Sequence, residues 1–424
     1  MTRRRATILV AAAAVVPRLA ALLHERGRIL AEFTEKSDDF ARNLVATGTY
    51  GIIPGVPSAY TQPLYGFFLG GVYWALDRSW WAVGGAQIAL AVATALLVLE
   101  VGRRLDSLRT GVVAALVATL EPYLVWHDVH VNREIVDGLA AATVVVLALA
   151  AARRRTVGAA ALLGGALGVA ILGNSRLTAL PLLVAAWLAW RLGSGRLGAR
   201  RPAALAAVAL VAASALVVTP WVVRNRISVG CFALTTDSKA LWKANNEATY
   251  GVLDRGGWID SVPSPPGSPP TPEMAASVLE RNGVRVAVDE CAQMRDYQQR
   301  TFTFWREHPG EKAKLAAQAV RMQWAPQATQ TEGRPGANTW LDRGRTLAQP
   351  AYVLGLYAFA LFGLTLVPRS FAVLAVSLLG YQTLAAMLFA GSTRYRAPWD
   401  FVLALLAAPA ILRLWGYLQA RAAR

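Results

Sequence analysis

Residues 203–223 read AALAAVALVAASALVVTPWVV and contain no charged side chain. A second uncharged stretch occupies residues 350–368. The hydrocarbon core of a bilayer is about 30 Å thick and needs about 20 apolar residues in a helix, so both stretches are long enough to cross it. The sequence therefore predicts a protein that crosses a membrane several times.

The composition of the whole chain agrees with this prediction. Of the 424 residues, 55% are hydrophobic and 16% are charged, whereas soluble domains average about 45–50% and about 25%. The chain carries a formal charge of +17, which in a membrane protein usually reflects orientation in the bilayer. Without a zinc-type Cys/His spacing or an RNA-binding aromatic motif, we expect no nucleic-acid partner.

The apolar segments predict an all-α polytopic protein with about ten transmembrane helices. The first is read as an uncleaved helix because no convincing signal-peptide cleavage site follows it. Residues 63–76 form a shorter apolar segment, rich in Gly and Tyr, that favours an interfacial or re-entrant helix. The predicted spans are residues 6–16, 82–101, 110–126, 134–151, 156–172, 177–190, 203–223, 351–367, 371–390 and 397–416.

The arginines indicate which side of the membrane each loop faces. Lys and Arg concentrate in short cytoplasmic loops near the ends of spans, and most arginines of the short loops fall on one side of this arrangement. The orientation places both termini in the cytoplasm, and we expect the plasma (inner) membrane as the location. The short outer loops contain only Arg78, Arg133, Arg176, Arg394 and Arg396.

The same threading divides the chain into three parts. We expect an N-terminal transmembrane module at 1–223 that includes a first outer loop at 24–81, an outer loop region at 224–349 and a C-terminal module at 350–424. Inside the 224–349 region, the Pro- and Ser-rich residues 261–272 predict an irregular loop. Helices are predicted at 274–279, at 289–308 and from 311 to about 324.

The chain has two cysteines, Cys231 and Cys291, and both fall in the predicted outer loop region. An oxidising compartment permits a disulfide. Because sequence does not give the distance between the residues, a disulfide and two separate thiols are equally supported.

An acidic cluster follows the first span. Ionisable groups close to a bilayer are costly and often functional, although a solvated face of a short surface helix explains such a cluster equally simply. The cluster consists of Glu32, Glu35, Asp38 and Asp39.

The motifs after this cluster resemble those of GT-C glycosyltransferases. The similarity is greatest to the family 39-like enzymes, which include protein mannosyltransferases and the lipid A aminoarabinose transferase. It runs in order along nearly the whole chain, although each motif alone is weak. The motifs are A-R-N-L at 41–44, G-T-Y-G at 48–51, P-L-Y at 63–65, N-R-E at 132–134, G-N-S-R at 173–176, P-W at 220–221, R-N at 224–225, W-K-A-N-N at 242–246, R-D at 295–296, W-R-E-H-P at 305–309 and R-Y-R-A-P at 394–398.

The resemblance implies an enzyme that transfers a hexosyl or pentosyl group from a polyprenyl-phosphate carrier to a lipid, glycan or protein acceptor on the extracytoplasmic face. It also implies seven spans before a large outer loop and an acidic residue of the first outer loop acting on the acceptor as a base. The family's usual acidic and Tyr positions hold Phe33 and Ser37 here. Asp38 and Asp39 are therefore ranked first as the base, ahead of Glu35 and Glu32.

Outward arginines are the candidates for holding the lipid phosphate, because guanidinium groups bind phosphate in a forked geometry. Arg394 and Arg396 are predicted to lie in an extended segment with both guanidiniums on one side and Tyr395 on the other. The alternative is that these arginines only anchor helix ends. The complete set of predicted substrate-binding residues is Arg394, Tyr395, Arg396, Arg176, Arg224, Glu134, Tyr65, Asn245 and Asn246.

Other interpretations stay open at this point. His127 and His130, together with Asp128 and Glu134, could form a divalent metal site, although interfacial polar residues are the preferred interpretation, and no cofactor is assigned. A polytopic transporter or flippase for lipid or polysaccharide is the main functional alternative, although no two-half repeat is visible. A third interpretation is a scaffold that binds a partner through residues 224–349.

Overall fold

The computed structural model describes residues 1–32, 34–193, 200–327 and 340–423. Over these ranges the regular structure is helical. The described residues also contain one isolated β-bridge, between Thr34 and Val131. The helices are α1 Arg3–Glu25, α2 Lys36–Thr47, α3 Pro63–Leu76, α4 Trp80–Leu105, α5 Leu108–Thr119, α6 Pro122–His127, α7 Glu134–Arg154, α8 Val157–Gly173, α9 Leu180–Gly193, α10 Arg200–Ser228, α11 Ser238–Lys243, α12 Glu247–Asp254, α13 Pro272–Asn282, α14 Glu290–Glu307, α15 Pro309–Gln323, α16 Trp340–Gly363, α17 Arg369–Leu388, α18 Thr393–Arg396 and α19 Asp400–Ala422.

Helices lie at all the predicted spans, although the span predicted at 110–126 is divided between two helices. The prediction of an all-α integral membrane protein is confirmed. Six helical segments of the described residues are long and apolar enough to cross a bilayer, and α5, α8 and residues 347–363 of α16 are shorter apolar helices. The exact number of ten spans stays a prediction. The six are α1, α4, α7, α10, α17 and the segment from Thr393 to Ala422.

The span predicted at 110–126 is wrong as a single helix, because α5 ends at Thr119 and α6 starts at Pro122. Proline lacks a backbone N–H and favours the first position of a helix. The Glu121 side chain caps the new helix by accepting a hydrogen bond from the Leu124 backbone N–H at 2.6 Å.

The first outer loop contains two helices, α2 and α3, that pack against each other. Helix α2 ends at Gly48, whose φ of 70° lies in the left-handed region that glycine adopts without strain. Helix α3 begins at Pro63 and spans 14 residues. The predicted helical character of residues 63–76 is therefore confirmed, and its interfacial position stays a prediction.

In the predicted outer loop region, the described residues after α10 up to 327 contain five helices, α11 to α15, and the helices predicted there are confirmed. Cys231 and Cys291 form a disulfide with Cα atoms 5.9 Å apart, so the alternative of two separate thiols is wrong. The bond ties the segment after α10 to the second residue of α14. Asp289 caps α14 by accepting from the Ala292 N–H at 2.8 Å.

The outer helices also contact the segment that precedes the last span. A Cβ atom on Gly391 would lie 1.7 Å from the Ala319 carbonyl oxygen of α15. Only glycine permits this approach of the two backbones. The contact fixes the position of the segment between α17 and α19, which carries residues of the site described next.

Candidate active site

A cavity of about 500 Å³ lies between the first outer loop, the outer ends of several spans and the outer region. Its charged lining residues form two groups. We call the first group, Glu35, Arg133, Arg176 and Arg394, the arginine end, and the second group, Lys36, Asp237, Lys239, Lys243, Asp260 and Glu273, the lysine end.

Arg394 is the central side chain of the arginine end. Its Nη2 donates a hydrogen bond to Glu35 Oε1 at 2.8 Å, and its Nε donates to Glu134 Oε1 at 2.5 Å. Glu35 directly precedes α2, Glu134 is the first residue of α7, and Arg394 belongs to α18. One guanidinium therefore joins three segments that are distant in sequence.

Each of the two carboxylates keeps one oxygen that the protein does not satisfy. Glu35 Oε2 and Glu134 Oε2 are buried and have no hydrogen-bond partner within the described structure. An unsatisfied buried polar group costs about 1–3 kcal/mol. Glu35 lines the cavity, so its side chain lies next to any group bound there.

Two further arginines complete the arginine end. The Arg176 guanidinium stacks 3.7 Å from the centroid of the Tyr395 ring, and its Nη1 donates to the Ala390 carbonyl at 3.1 Å. Arg133 Nη1 donates to Gln62 Oε1 at 2.6 Å. Arg133 is one of the predicted outward arginines but not one of the predicted substrate-binding residues, although its place in an outer loop was a usable signal.

The three guanidinium groups of the arginine end differ in their carboxylate partners. Arg394 lies within ion-pair distance of Glu35 and Glu134, and Arg133 of Glu134. Among the described residues, no carboxylate lies within ion-pair distance of Arg176, so its charge is available to an anionic group in the cavity.

The lysine end begins with Lys36, the residue next to Glu35. Lys36 Nζ lies 2.6 Å from Asp237 and 3.5 Å from Glu273, while Lys239 lies 3.7 Å from Glu273. Burial lowers the pKa of Lys36, but the Asp237 and Glu273 carboxylates outweigh burial and raise this pKa well above its usual value. These ion pairs join the first outer loop to the outer region.

The far side of the lysine end is formed by Lys243 and by the segment from Trp258 to Asp260. Lys243 donates a hydrogen bond to the Asp260 carbonyl oxygen. Burial lowers the pKa of Lys243, and the nearby Lys239 lowers it further. The Trp258 side chain lines the cavity beside them.

The structure does not bring the two first-ranked carboxylates into the cavity. Asp38 is buried beneath it, where its Oδ1 accepts from Tyr73 Oη at 2.5 Å and from Arg78 Nε at 2.9 Å. Asp39 is 47% exposed and lies 3.4 Å from Arg42. Both residues belong to the first turn of α2, where carboxylates interact favourably with the helix dipole.

The fourth carboxylate of the cluster, Glu32, does line the cavity. Its side chain accepts from Arg28 at 2.8 Å on an exposed turn. Of the four carboxylates, Glu35 is the one that contacts the buried arginine end.

The expectation of an extended Arg394–Arg396 pair is wrong. Residues Thr393–Arg396 form a helical turn, in which side chains two positions apart point to different sides. The buried Arg396 guanidinium lies 3.1 Å from Asp400 and donates to Tyr357 Oη at 2.6 Å. Arg394 and Tyr395 line the cavity, and Arg396 does not.

Two other predicted binding residues stabilise the scaffold outside the cavity. Arg224 donates to the carbonyl oxygens of Ser58 and Tyr50 at 2.8 and 3.0 Å, which ties the first outer loop to α10. The buried Tyr65 hydroxyl donates to Gln87 Oε1 at 2.6 Å.

The two asparagines of the W-K-A-N-N motif also make internal contacts. Asn245 Oδ1 accepts from Trp305 Nε1 at 2.9 Å and from Lys312 Nζ at 2.5 Å. Asn246 caps α12 through the Ala248 N–H at 3.0 Å. Both side chains therefore hold the helices of the outer region together.

The proposed metal ligands are engaged elsewhere. His130 Nδ1 lies 2.8 Å from the Trp126 carbonyl, and the His127 ring stacks on Tyr123 with centroids 4.9 Å apart. Within the described ranges, no group of three or more His, Cys, Asp or Glu side chains is placed to hold a metal ion.

Comparison with solved structures identifies the fold. The chain superimposes on the archaeal oligosaccharyltransferase AglB from Archaeoglobus fulgidus, solved in complex with an inhibitory peptide and a dolichol-phosphate. The TM-score is 0.54 at 12% sequence identity, and the superposition covers 99% of this chain and 51% of that chain. The same enzyme tethered to an acceptor peptide gives a TM-score of 0.53, 13% identity and coverage of 98% and 50%. The chain thus spans about half the length of this oligosaccharyltransferase.

ArnT from Cupriavidus metallidurans, bound to undecaprenyl phosphate, gives a lower TM-score of 0.43 at 14% identity, with 97% of this chain and 79% of that chain covered. No family model and no curated protein matches the sequence. The oligosaccharyltransferase structures have the GT-C fold. The chain has the GT-C fold, and the family resemblance predicted from the sequence is confirmed at the level of the fold.

Proposed function

We propose that this protein is an integral membrane glycosyltransferase. In this proposal it moves a sugar from a polyprenyl-phosphate carrier to an acceptor bound in the cavity on the extracytoplasmic side, with Glu35 as the base. The observation that carries the proposal is the geometry of Glu35: one carboxylate oxygen is held by Arg394, and the other is buried at the cavity without a partner.

Glu35 suits the role of a base better than the other carboxylates of the first outer loop. A base must reach the proton that it removes, at about 2.6–3.2 Å or through one water. Asp38 already accepts hydrogen bonds from Tyr73 and Arg78, and Asp39 lies on the exposed side of α2. This assignment replaces the order inferred from the sequence.

The reaction follows from the two charged groups of the arginine end. In the proposed reaction, the Glu35 carboxylate takes the proton of the acceptor hydroxyl as the hydroxyl oxygen attacks the anomeric carbon of the donor sugar. The bond between this carbon and the phosphate oxygen breaks, and its electron pair leaves with the lipid phosphate. Arg176 and Arg394 stabilise the negative charge that develops there, and no covalent sugar–enzyme intermediate is required.

The Arg394 guanidinium bonds to both Glu35 and Glu134. A phosphate that binds Arg394 would therefore share this guanidinium with the proposed base, which places the leaving group and the base next to each other.

The neighbours support the choice of donor. The oligosaccharyltransferase structure contains a dolichol-phosphate, which is a polyprenyl-type phosphate. At 12% identity this similarity establishes the fold alone, so the donor remains part of the proposal.

Reconstituted protein tests the proposal. The full chain is placed in lipid nanodiscs with synthetic polyprenyl-phosphate-linked hexoses and pentoses and a membrane extract as acceptor. We expect release of polyprenyl phosphate with one of these sugars and transfer of that sugar to acceptor. Movement of intact donor across proteoliposomes without cleavage would instead support the transporter alternative.

A further inference from the structure

The lysine end of the cavity is built differently from the arginine end, and the proposed reaction does not use it. It contains three amines and three carboxylates, so their formal charges cancel. These are Lys36, Lys239, Lys243, Asp237, Asp260 and Glu273.

We propose that the lysine end binds the acceptor and that the acceptor is a neutral saccharide. This inference rests on the proposed function, because it names the acceptor of that same cavity. The juxtaposition that carries it is a balanced set of hydrogen-bond donors and acceptors beside the Trp258 ring.

The charge balance decides against charged acceptors. Lys36 is already paired with Asp237 and Glu273, and Lys239 with Glu273. A charged acceptor group would be attracted by the side chains of opposite charge and repelled by those of like charge, so the two effects would largely cancel. A sugar hydroxyl donates and accepts at once, so it can bond to an amine and a carboxylate together without separating them.

The aromatic residues add a second feature typical of saccharide binding. Trp258 lines the cavity two residues before Asp260, which makes its indole a candidate stacking surface for a sugar ring. The Tyr60 hydroxyl donates to Glu273 at 3.4 Å, and its ring lies 4.6 Å from Lys36 Nζ. The C–H face of a pyranose or furanose packs on such a plane, while its hydroxyls reach the charged groups at the edge.

The chain connection places this acceptor site next to the base. Glu35 and Lys36 are consecutive residues, and they belong to the arginine end and the lysine end respectively. A saccharide bound by Lys36 is therefore held by the residue next in sequence to Glu35, the proposed base. The cavity of about 500 Å³ suits a ligand of a few sugar rings.

Saturation-transfer NMR on the full chain in nanodiscs tests the proposal. The probes are maltose, mannobiose and arabinobiose as neutral saccharides, with glucose 6-phosphate and an uncharged hexapeptide as comparisons. We expect the strongest transfer to the ring protons of a neutral disaccharide. Stronger transfer to the phosphorylated sugar or to the peptide, or no transfer to any neutral saccharide, would overturn the proposal.

Variants assign the signal to the lysine end. We expect Trp258→Ala to weaken saccharide binding at least tenfold, Trp258→Phe to retain most of it, and Asp260→Asn to weaken it with the shape of the side chain preserved. Thermal unfolding confirms that each variant is folded. Unchanged binding by folded Trp258→Ala and Asp260→Asn variants would place the saccharide elsewhere and contradict the proposal.

Glu35→Gln separates this inference from the proposed function. We expect that variant to bind the disaccharide within about threefold of the wild type, because the glutamine side chain has the same size and its oxygen still accepts a hydrogen bond from the acceptor hydroxyl. If it also retains full transferase activity, the role of Glu35 fails while the saccharide site stands. If saccharide binding is absent from an active wild-type enzyme, the acceptor proposal fails while the transferase proposal stands.

Discussion

Arg394 and Glu35 are separated by 359 positions in the sequence, and Nη2 of Arg394 donates a hydrogen bond to Oε1 of Glu35 at 2.8 Å. Their side chains are 17% and 18% exposed, so water screens this pair only partly. The pair joins the first outer loop to the start of the final span. It also places the proposed phosphate-binding group and the proposed base at the same end of one cavity.

Replacing Arg394 should impair use of the donor. Arg394→Ala leaves the Glu35 and Glu134 carboxylates without their shared cation, and loss of one partner of a buried ion pair costs about 3–5 kcal/mol. We expect at least a tenfold higher KM for the polyprenyl-phosphate sugar, with partial recovery in Arg394→Lys, which keeps the charge but lacks the fork. Arg224→Ala is the matched control, because that arginine bonds to loop carbonyls outside the cavity. An unchanged donor KM in a folded Arg394→Ala variant would exclude this residue from the phosphate site.

Asp38 should matter for stability and little for turnover. Asp38→Asn weakens the hydrogen bonds from Tyr73 and Arg78, which should lower the free energy of unfolding by about 1–3 kcal/mol. Asp39→Asn, on the exposed side of the same helix, should change it by about 0.5 kcal/mol or less. Chemical denaturation in detergent measures both effects. A folded Asp38→Asn enzyme with no activity would restore the order of candidates inferred from the sequence.

Arg396 should behave as a structural residue. Arg396→Ala leaves the Asp400 carboxylate buried and unpaired, at a cost of about 3–5 kcal/mol. The double variant Arg396→Met, Asp400→Leu removes both charges and should recover most of this stability, since apolar replacement of a buried ion pair is often neutral. Thermal unfolding of the two variants compares them. A double variant no more stable than Arg396→Ala would show that the ion pair is not what Arg396 contributes.

The apolar segments determine most of the fold. They could be predicted from the sequence because a segment that crosses the bilayer must hydrogen-bond its own backbone groups, so a long apolar stretch indicates a helix. The break at Glu121 and Pro122 was not predicted because apolar residues continue on both sides of this pair. The disulfide could not be predicted, since it depends on the distance between Cys231 and Cys291 in the folded chain.

The site was harder to predict because its geometry depends on single residues. Glu35 precedes α2 and Asp38 lies inside it. Although only three positions apart, Glu35 lines the cavity while Asp38 forms a buried ion pair with Arg78. Arg394 and Arg396 were expected to act together only because the segment was taken as extended. Sequence spacing does not reveal the helical turn that separates them.

The orientation of the outer region can be tested by thiol labelling. The native cysteines are joined in a disulfide, so Ser264→Cys, at an exposed position of the Pro-rich loop, introduces a free thiol. We expect a membrane-impermeant maleimide to label it in intact cells, whereas Arg154→Cys in a predicted cytoplasmic loop should react only after lysis. The opposite pattern would invert the threading derived from the arginines.

The central claim is that Glu35 removes the proton of the acceptor hydroxyl, and a single-turnover measurement with Glu35→Gln tests it most directly. The variant keeps the size of the side chain and a hydrogen bond to Arg394, so we expect a folded protein that binds polyprenyl-phosphate sugar within about threefold of the wild type. Loss of a general base slows the chemical step by about 10²–10⁴-fold, and the release of polyprenyl phosphate in rapid-quench experiments should show that decrease. Release by Glu35→Gln at the wild-type rate would contradict the account.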